Sequence, residues 1–182
     1  MTTIAQTLEA LPTGTWQVDA THSQVGFAVE YMVGTFRGSF TPVEARLDVT
    51  DDGEATLAGS AQVDDIRVQD ENLNAHLLSP EFFDAERTPE IRFQSTEIHR
   101  SGDDVSTVGE LTIKGLTAHV DLRGTIADPI VDAYGRERIG LRLEGAVDRT
   151  SFGLDWNVPL PSGDPALANE VVLTAELYLI RA

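Results

Sequence analysis

The chain contains no cysteine, which excludes disulfides, thiol nucleophiles and thiolate metal sites without choosing a compartment. Cations are also scarce. Thirteen Lys and Arg stand against thirty Asp and Glu, a net charge of −17, and Lys114 is the single lysine. That balance argues against binding to nucleic-acid phosphates or anionic membrane surfaces. No apolar run reaches the 18 residues of a spanning helix, so no stable membrane insertion is expected. A secretory leader needs a basic segment ahead of its apolar run, yet the first Lys or Arg is Arg37. A cytoplasmic location is the expectation.

What is present is alternation. Val25, Phe27, Val29 and Tyr31 alternate with Gln24, Gly26, Ala28 and Glu30, the period of a half-buried strand. The same period recurs through Phe36, Phe40 and Val43–Val49, through Leu57–Val63, and from Ile91 to His99. It continues over Thr107–Ile113, Leu116–Ile126, Ile139–Val147 and Val171–Leu179. Asp51-Asp52-Gly53 and Ser101-Gly102-Asp103-Asp104 are turn signals between such runs. About eight strands on short turns, with no alternating helices, close best as an extended up-and-down antiparallel barrel, because closure removes exposed edges. A two-sheet sandwich is the alternative. One all-β domain is expected over residues 15–182, preceded by a tail or short helix over 1–14. In that segment Thr3 and Gln6 make a capping box, and Ile4, Leu8 and Leu11 form a stripe.

One stretch interrupts the strands. Asp70 can cap a helix carrying Leu73 and Leu77 on one face; Ser79-Pro80 opens a further turn bearing Phe82 and Phe83, and Pro89 ends it. Two adjacent phenylalanines in an acidic segment need an apolar partner. The expectation is a short helical insert near residues 70–84, folded over one barrel mouth and lining a greasy interior. The inward rows mix Gly59, Ala61, Gly109, Ala118, Gly145 and Ala175 with larger residues. Small inner residues leave room, and an eight-stranded barrel is wide enough for one slim ligand. Strands of about ten residues rise roughly 33 Å, so a chain-like guest suits the cavity.

Four blocks then resemble a known family: Trp-x-Val-Asp-x-x-His-Ser-x-Val-x-Phe from Trp16, His-Leu-Leu-Ser-Pro-Glu-Phe-Phe-Asp from His76, Gly-Glu-Leu-Thr-Ile-Lys-Gly-Leu-Thr from Gly109, and Asp-Arg-Thr-Ser-Phe-Gly from Asp148. In this order they look like the YceI-like, lipocalin-related proteins. The resemblance implies a hydrophobic pore holding a polyisoprenoid, such as the tail of an isoprenoid quinone, and a homodimer. The function expected is binding, and carriage or sequestration, of such a molecule, with no cofactor beyond that ligand.

The candidate ligand contacts are Phe27, Val29 and Tyr31, Phe36 and Phe40, Leu73 and Leu77, Phe82 and Phe83, Phe93, Leu111 and Ile113, Leu141 and Leu143, and Trp156. The first three are expected to face inwards, with the Tyr31 hydroxyl free to meet a polar headgroup. Phe82 and Phe83 can equally plug the barrel end as core, and Trp156 can be a lid. His22, His76, His99 and His119 share no metal-ligand spacing, so no metal is expected. Ser23, Ser79 and Ser151 lack a Gly-x-Ser-x-Gly elbow, and Asp64-Asp65 and Asp103-Asp104 read as solvated turns. Two alternatives remain: an enzyme acting on an apolar small molecule with His22 or His76 as acid or base, and a scavenger of toxic lipophilic compounds.

Overall fold

Residues 10–182 are described by a computed structural model. Most of the helix expected at the amino terminus therefore lies outside the described residues. Its end is not helical, and Leu11 is buried in the barrel floor.

The strands are β1 (Gly14–Val18), β2 (Gln24–Tyr31), β3 (Gly34–Phe40), β4 (Val43–Val49), β5 (Ala55–Gln62) and β6 (Ile66–Arg67). One helix, α1 (Glu71–Leu78), follows. Then come β7 (Glu90–Ser101), β8 (Asp104–Ile113), β9 (Leu116–Ile126), β10 (Ile130–Val131), β11 (Glu137–Asp148) and β12 (Leu167–Arg181). Three pairs are halves of one broken stave. β12 pairs with β2 from Leu167 to Glu176 and with β1 from Leu179 to Arg181. β3 pairs with β2 and β6 while β4 pairs with β1 and β5. Read so, the chain is a closed, antiparallel, eight-staved meander, shut by β12 pairing with β11 on one side and β1 and β2 on the other. The expected barrel is the observed one. β10 adds a short hairpin to β11.

The alternation places the core. Along β8, Val105, Thr107, Leu111 and Ile113 are buried, and along β11 so are Ile139, Leu141 and Leu143. One end of the barrel is a solid floor in which Trp16 and Leu179 have no exposed surface. The Trp16 indole N–H donates to the Pro12 carbonyl at 3.0 Å, and the Arg181 guanidinium lies 4.4 Å from the ring centre. A cation on the face of Trp covers the ring while staying wet.

Polar side chains stitch the breaks between half-staves. After β1 the Asp19 carbonyl accepts from the His22 and Ser23 N–H groups, and the buried Ser23 hydroxyl accepts from Tyr178 N–H at 2.9 Å. Asp19 also holds the His22 ring at 2.7 Å, so both residues serve the turn. Between β3 and β4 the Thr41–Pro42 peptide is cis. The insert forms as expected. Asp70 Oδ1 accepts from Leu73 N–H at 2.9 Å, the Ser79 hydroxyl donates to the His76 carbonyl at 2.6 Å, and turns run on to Thr88 before β7.

Candidate functional site

The barrel interior is not solid. Two apolar chambers lie next to one another and share walls made by Val25, Ala61, Ile91, Leu111 and Leu173. The outer chamber, about 130 Å³, is roofed by Phe40, Phe82, Phe83 and Phe152. The inner one, about 120 Å³, runs between Val43, Leu57, Phe93, Val120, Leu143 and Leu177. Below it a void of about 10 Å³ between Leu11, Leu47, Ile126 and Leu141 ends the path. Each chamber approaches the roughly 150 Å³ at which an apolar protein cavity stays dry and accepts a benzene-sized guest. Surroundings that cannot hydrogen-bond water favour hydrocarbon over solvent.

Two elements make the roof. Asp70 starts α1, and the turn after Ser79 swings Phe82 and Phe83 inward, with Phe83 N–H bonded to the Leu77 carbonyl at 3.0 Å. Phe83 meets Phe40 edge-on, ring centres 5.9 Å apart. Phe82 lies against Trp156 at 5.3 Å and His76 at 4.9 Å. The second element is the segment from β11 to β12, held by Arg149. Its guanidinium is buried, and it donates to the carbonyls of Ala168 (2.8 Å), Leu154 (2.5 Å), Trp156 (2.8 Å) and, at 3.4 Å, Leu167. No carboxylate lies within ion-pair distance of it among the described residues. Burial pushes its pKa down, against the opposing pull of Asp155 and Asp148. Among the described residues Arg149 is the one charged residue along the outer chamber.

Nine of the fifteen candidate contacts line the two chambers: Phe27, Val29, Phe40, Phe82, Phe83, Phe93, Leu111, Ile113 and Leu143. Leu141 borders the floor void instead. Leu77 is buried beneath the insert, away from both chambers. Leu73 and Phe36 line a separate groove with Arg67 and Gln69; Phe36 packs on the Phe27 ring, centres 5.9 Å apart, and lines neither chamber. Trp156 is half-buried behind Phe82 and His76 and does not reach the chambers. The inward placement of Tyr31 is corrected. Tyr31, in the last pair of β2 with β3, is more than a third exposed and lines neither chamber.

The reading of small residues as free space holds at Gly59, Ala61 and Ala175, which line the inner chamber. It does not hold at Gly109, where a Cβ would fall 2.5 Å from the Phe93 ring, or at Gly145, where it would fall 2.3 Å from the Asp121 carbonyl. A phenylalanine fills the first space and a neighbouring strand the second. Val25, Ile91, Val171 and Leu173 were not among the candidate contacts, though they share the parity of residues that were. Arg149 was missed, although it stands in the Asp-Arg-Thr-Ser-Phe-Gly block.

The groups considered for chemistry stand apart from the chambers. His22 is on the outer wall, bonded to Asp19 and 5.6 Å from the Tyr178 ring. His76 bonds Glu81 at 2.6 Å on the outer side of Phe82. No three His, Asp or Glu gather at metal-binding distance among the described residues, and no described helix is long and apolar enough to cross a membrane.

A family model for the YceI-like domain matches residues 16–179. A UPF0312 protein of Staphylococcus epidermidis is 28% identical over 164 residues, 86% of this chain and 92% of that one. Among solved structures, BcnA of Burkholderia cenocepacia superposes with a TM-score of 0.74 at 21% identity, covering 88% of this chain and 98% of its own. A polyisoprenoid binding domain from Saccharophagus degradans, implicated in plant cell wall breakdown, superposes with a TM-score of 0.66 at 12% identity, covering 92% and 98%.

Proposed function

The chain belongs to the YceI-like family, and from that premise we propose that it binds one long apolar molecule, a polyisoprenoid or the tail of an isoprenoid quinone, and carries or sequesters it. The observation that carries this reading is the pair of adjoining chambers, walled by hydrocarbon and blocked at the far end. Adjoining chambers with shared walls suit a thin chain better than a compact ring system. The polyisoprenoid binding domain with the same fold supports the ligand class. Burying a methylene contributes about 0.8 kcal/mol, so ten carbons give about 8 kcal/mol before the cost of immobilising the chain. Affinity then needs no polar constellation. The homodimer that the family resemblance implies is part of the same proposal, and sizing in solution tests it.

Native mass spectrometry and solvent extraction of protein purified without added lipid test the binding. An isoprenoid-sized mass is expected in wild type. Ala175→Phe, which fills the inner chamber, and Phe83→Asp, which charges the roof, should each lower retention about ten-fold or more, since a few lost methylenes suffice. His119→Ala, on an exposed outward position, should leave it unchanged. Protein that is empty in every preparation and takes up no added polyprenol would end the reading. Equal loss in His119→Ala would show that the inner and outer faces are misassigned.

A further inference from the structure

The tip of the β2–β3 hairpin is Tyr31-Met32-Val33. Val33 is fully exposed, Met32 about half, and Tyr31 by more than a third. The Met32 N–H donates to the Ala166 carbonyl, and Ala166 N–H to that of Val158, a residue itself more than a third exposed. Nothing in folding calls for such a tip. Tight hairpin turns favour Asn, Asp and Gly, and this chain uses Asp51–Gly53, Gly102-Asp103, Lys114-Gly115 and Asp132–Gly135 in its other turns. Here a methionine takes a left-handed φ of 51° and carries its side chain into water. The tip also stands at the roofed end of the barrel. Its Tyr31 pairs with Leu167, a wall of the outer chamber.

We propose that the Tyr31-Met32-Val33 tip is a wedge that dips into the interface of an uncharged lipid bilayer, setting the mouth of the outer chamber against the source of its cargo. The proposal rests on the lipid-binding reading, because a long hydrocarbon cannot cross water cheaply and its exit must meet an apolar phase. The tip itself bears no charge, with Glu30 next to it on a chain of net charge −17, so anionic lipid repels it and a neutral surface does not. Tyrosine is at home at such an interface. A protein partner fits less well. The three tip side chains offer on the order of a few hundred Å², short of the roughly 800 Å² per partner of a standard interface.

The experiment is flotation of the full chain with phosphatidylcholine vesicles and with vesicles containing phosphatidylglycerol. Wild type should float with the former, and less with the latter at low salt. Val33→Asp, at a position with little packing to lose, should cut the bound fraction about ten-fold or more, the scale set by carrying one charge towards hydrocarbon, and Met32→Ser, which removes an apolar side chain without adding charge, should lower it by less. Ile130→Asp, an exposed apolar site at the opposite end, should float like wild type. The proposal is overturned if wild type does not float, if Val33→Asp floats unchanged, or if Ile130→Asp fails equally. It is also overturned if Val33→Asp splits a dimer while flotation stays the same. Extraction of lipid from the same variants separates the two ideas: tip variants that keep their lipid but no longer float support the wedge, and flotation by a wild type that never holds lipid leaves the wedge standing while the cavity reading falls.

Discussion

Ala61 and Ala175 keep the chambers open because neither side chain reaches across the barrel, whereas the spaces beside Gly38 and Gly109 are taken by the rings of Phe27 and Phe93. Residue size alone did not separate these cases, since a glycine beside a phenylalanine is a socket and an alanine among leucines is a gap. Arg149 is the other residue on which the site turns. A cation buried without a carboxylate is costly unless its donors are satisfied, and here backbone carbonyls satisfy them. Arg149→Met keeps the volume and removes every donor, leaving three close-held carbonyls to find partners. The expected loss is about 3–5 kcal/mol of unfolding free energy by urea titration. Arg149→Lys should recover only part of it, because an ammonium cannot span carbonyls from both ends of the segment. A loss within 0.5 kcal/mol of zero would mean that the segment holds itself in place.

The eight staves were legible because each carries its own two-residue period, and short turns leave little choice of neighbour. Their breaks were legible only in part. The apolar parity switches between Val18 and Val25 and again between Phe40 and Val43, which marks an interruption, but how each break is held depends on long-range partners such as Tyr178 for Ser23. Tyr31 keeps the two-residue period of Val29, so nothing local shows that the chamber wall stops at Val29 and leaves Tyr31 at the exposed end of the hairpin. The insert was readable because its signals are local: Asp70 caps, Ser79 terminates, Pro89 stops. That locality makes a prediction. Asp70→Ala removes the bond to Leu73 N–H and should cost about 1 kcal/mol. It should loosen the roof without touching the barrel. Amide exchange is expected to quicken over residues 71–88 and bound lipid to leave faster, while exchange in β8, β9 and β11 stays as in wild type. Uniformly faster exchange would show that the insert and barrel unfold as one unit.

Across the whole molecule two electrostatic effects oppose each other as pH falls. A net charge of −17 at pH 7 repels itself, and titrating carboxylates towards the pI near 4.4 relieves that repulsion. Against this stands a clamp that, among the ion pairs of the described residues, holds two depressed carboxyls on one guanidinium. Arg138 on β11 donates to Asp19 at 2.8 Å and to Asp132 at 2.5 Å, fixing the β1–β2 break and the β10–β11 turn together. The Arg138 guanidinium, with the His22 ring second, lowers the Asp19 pKa from 3.8 to about 2. Arg138, followed by the Arg136 backbone N–H, depresses Asp132 as well. A carboxyl whose pKa is lower folded than unfolded binds fewer protons in the folded state. Its contribution is complete above about 3.9, the unfolded value, and is lost as pH falls towards the folded one. The melting temperature should therefore hold or rise from pH 7 to about 4.5, then fall steeply below about 4 as the clamp is protonated. Added salt should raise it at pH 7 by screening the repulsion. Arg138→Gln should be less stable at pH 7 and show a shallower acid limb, because the largest cause of the depression of both carboxyls is then gone. An acid limb as steep in Arg138→Gln as in wild type would place the acid sensitivity in other carboxylates.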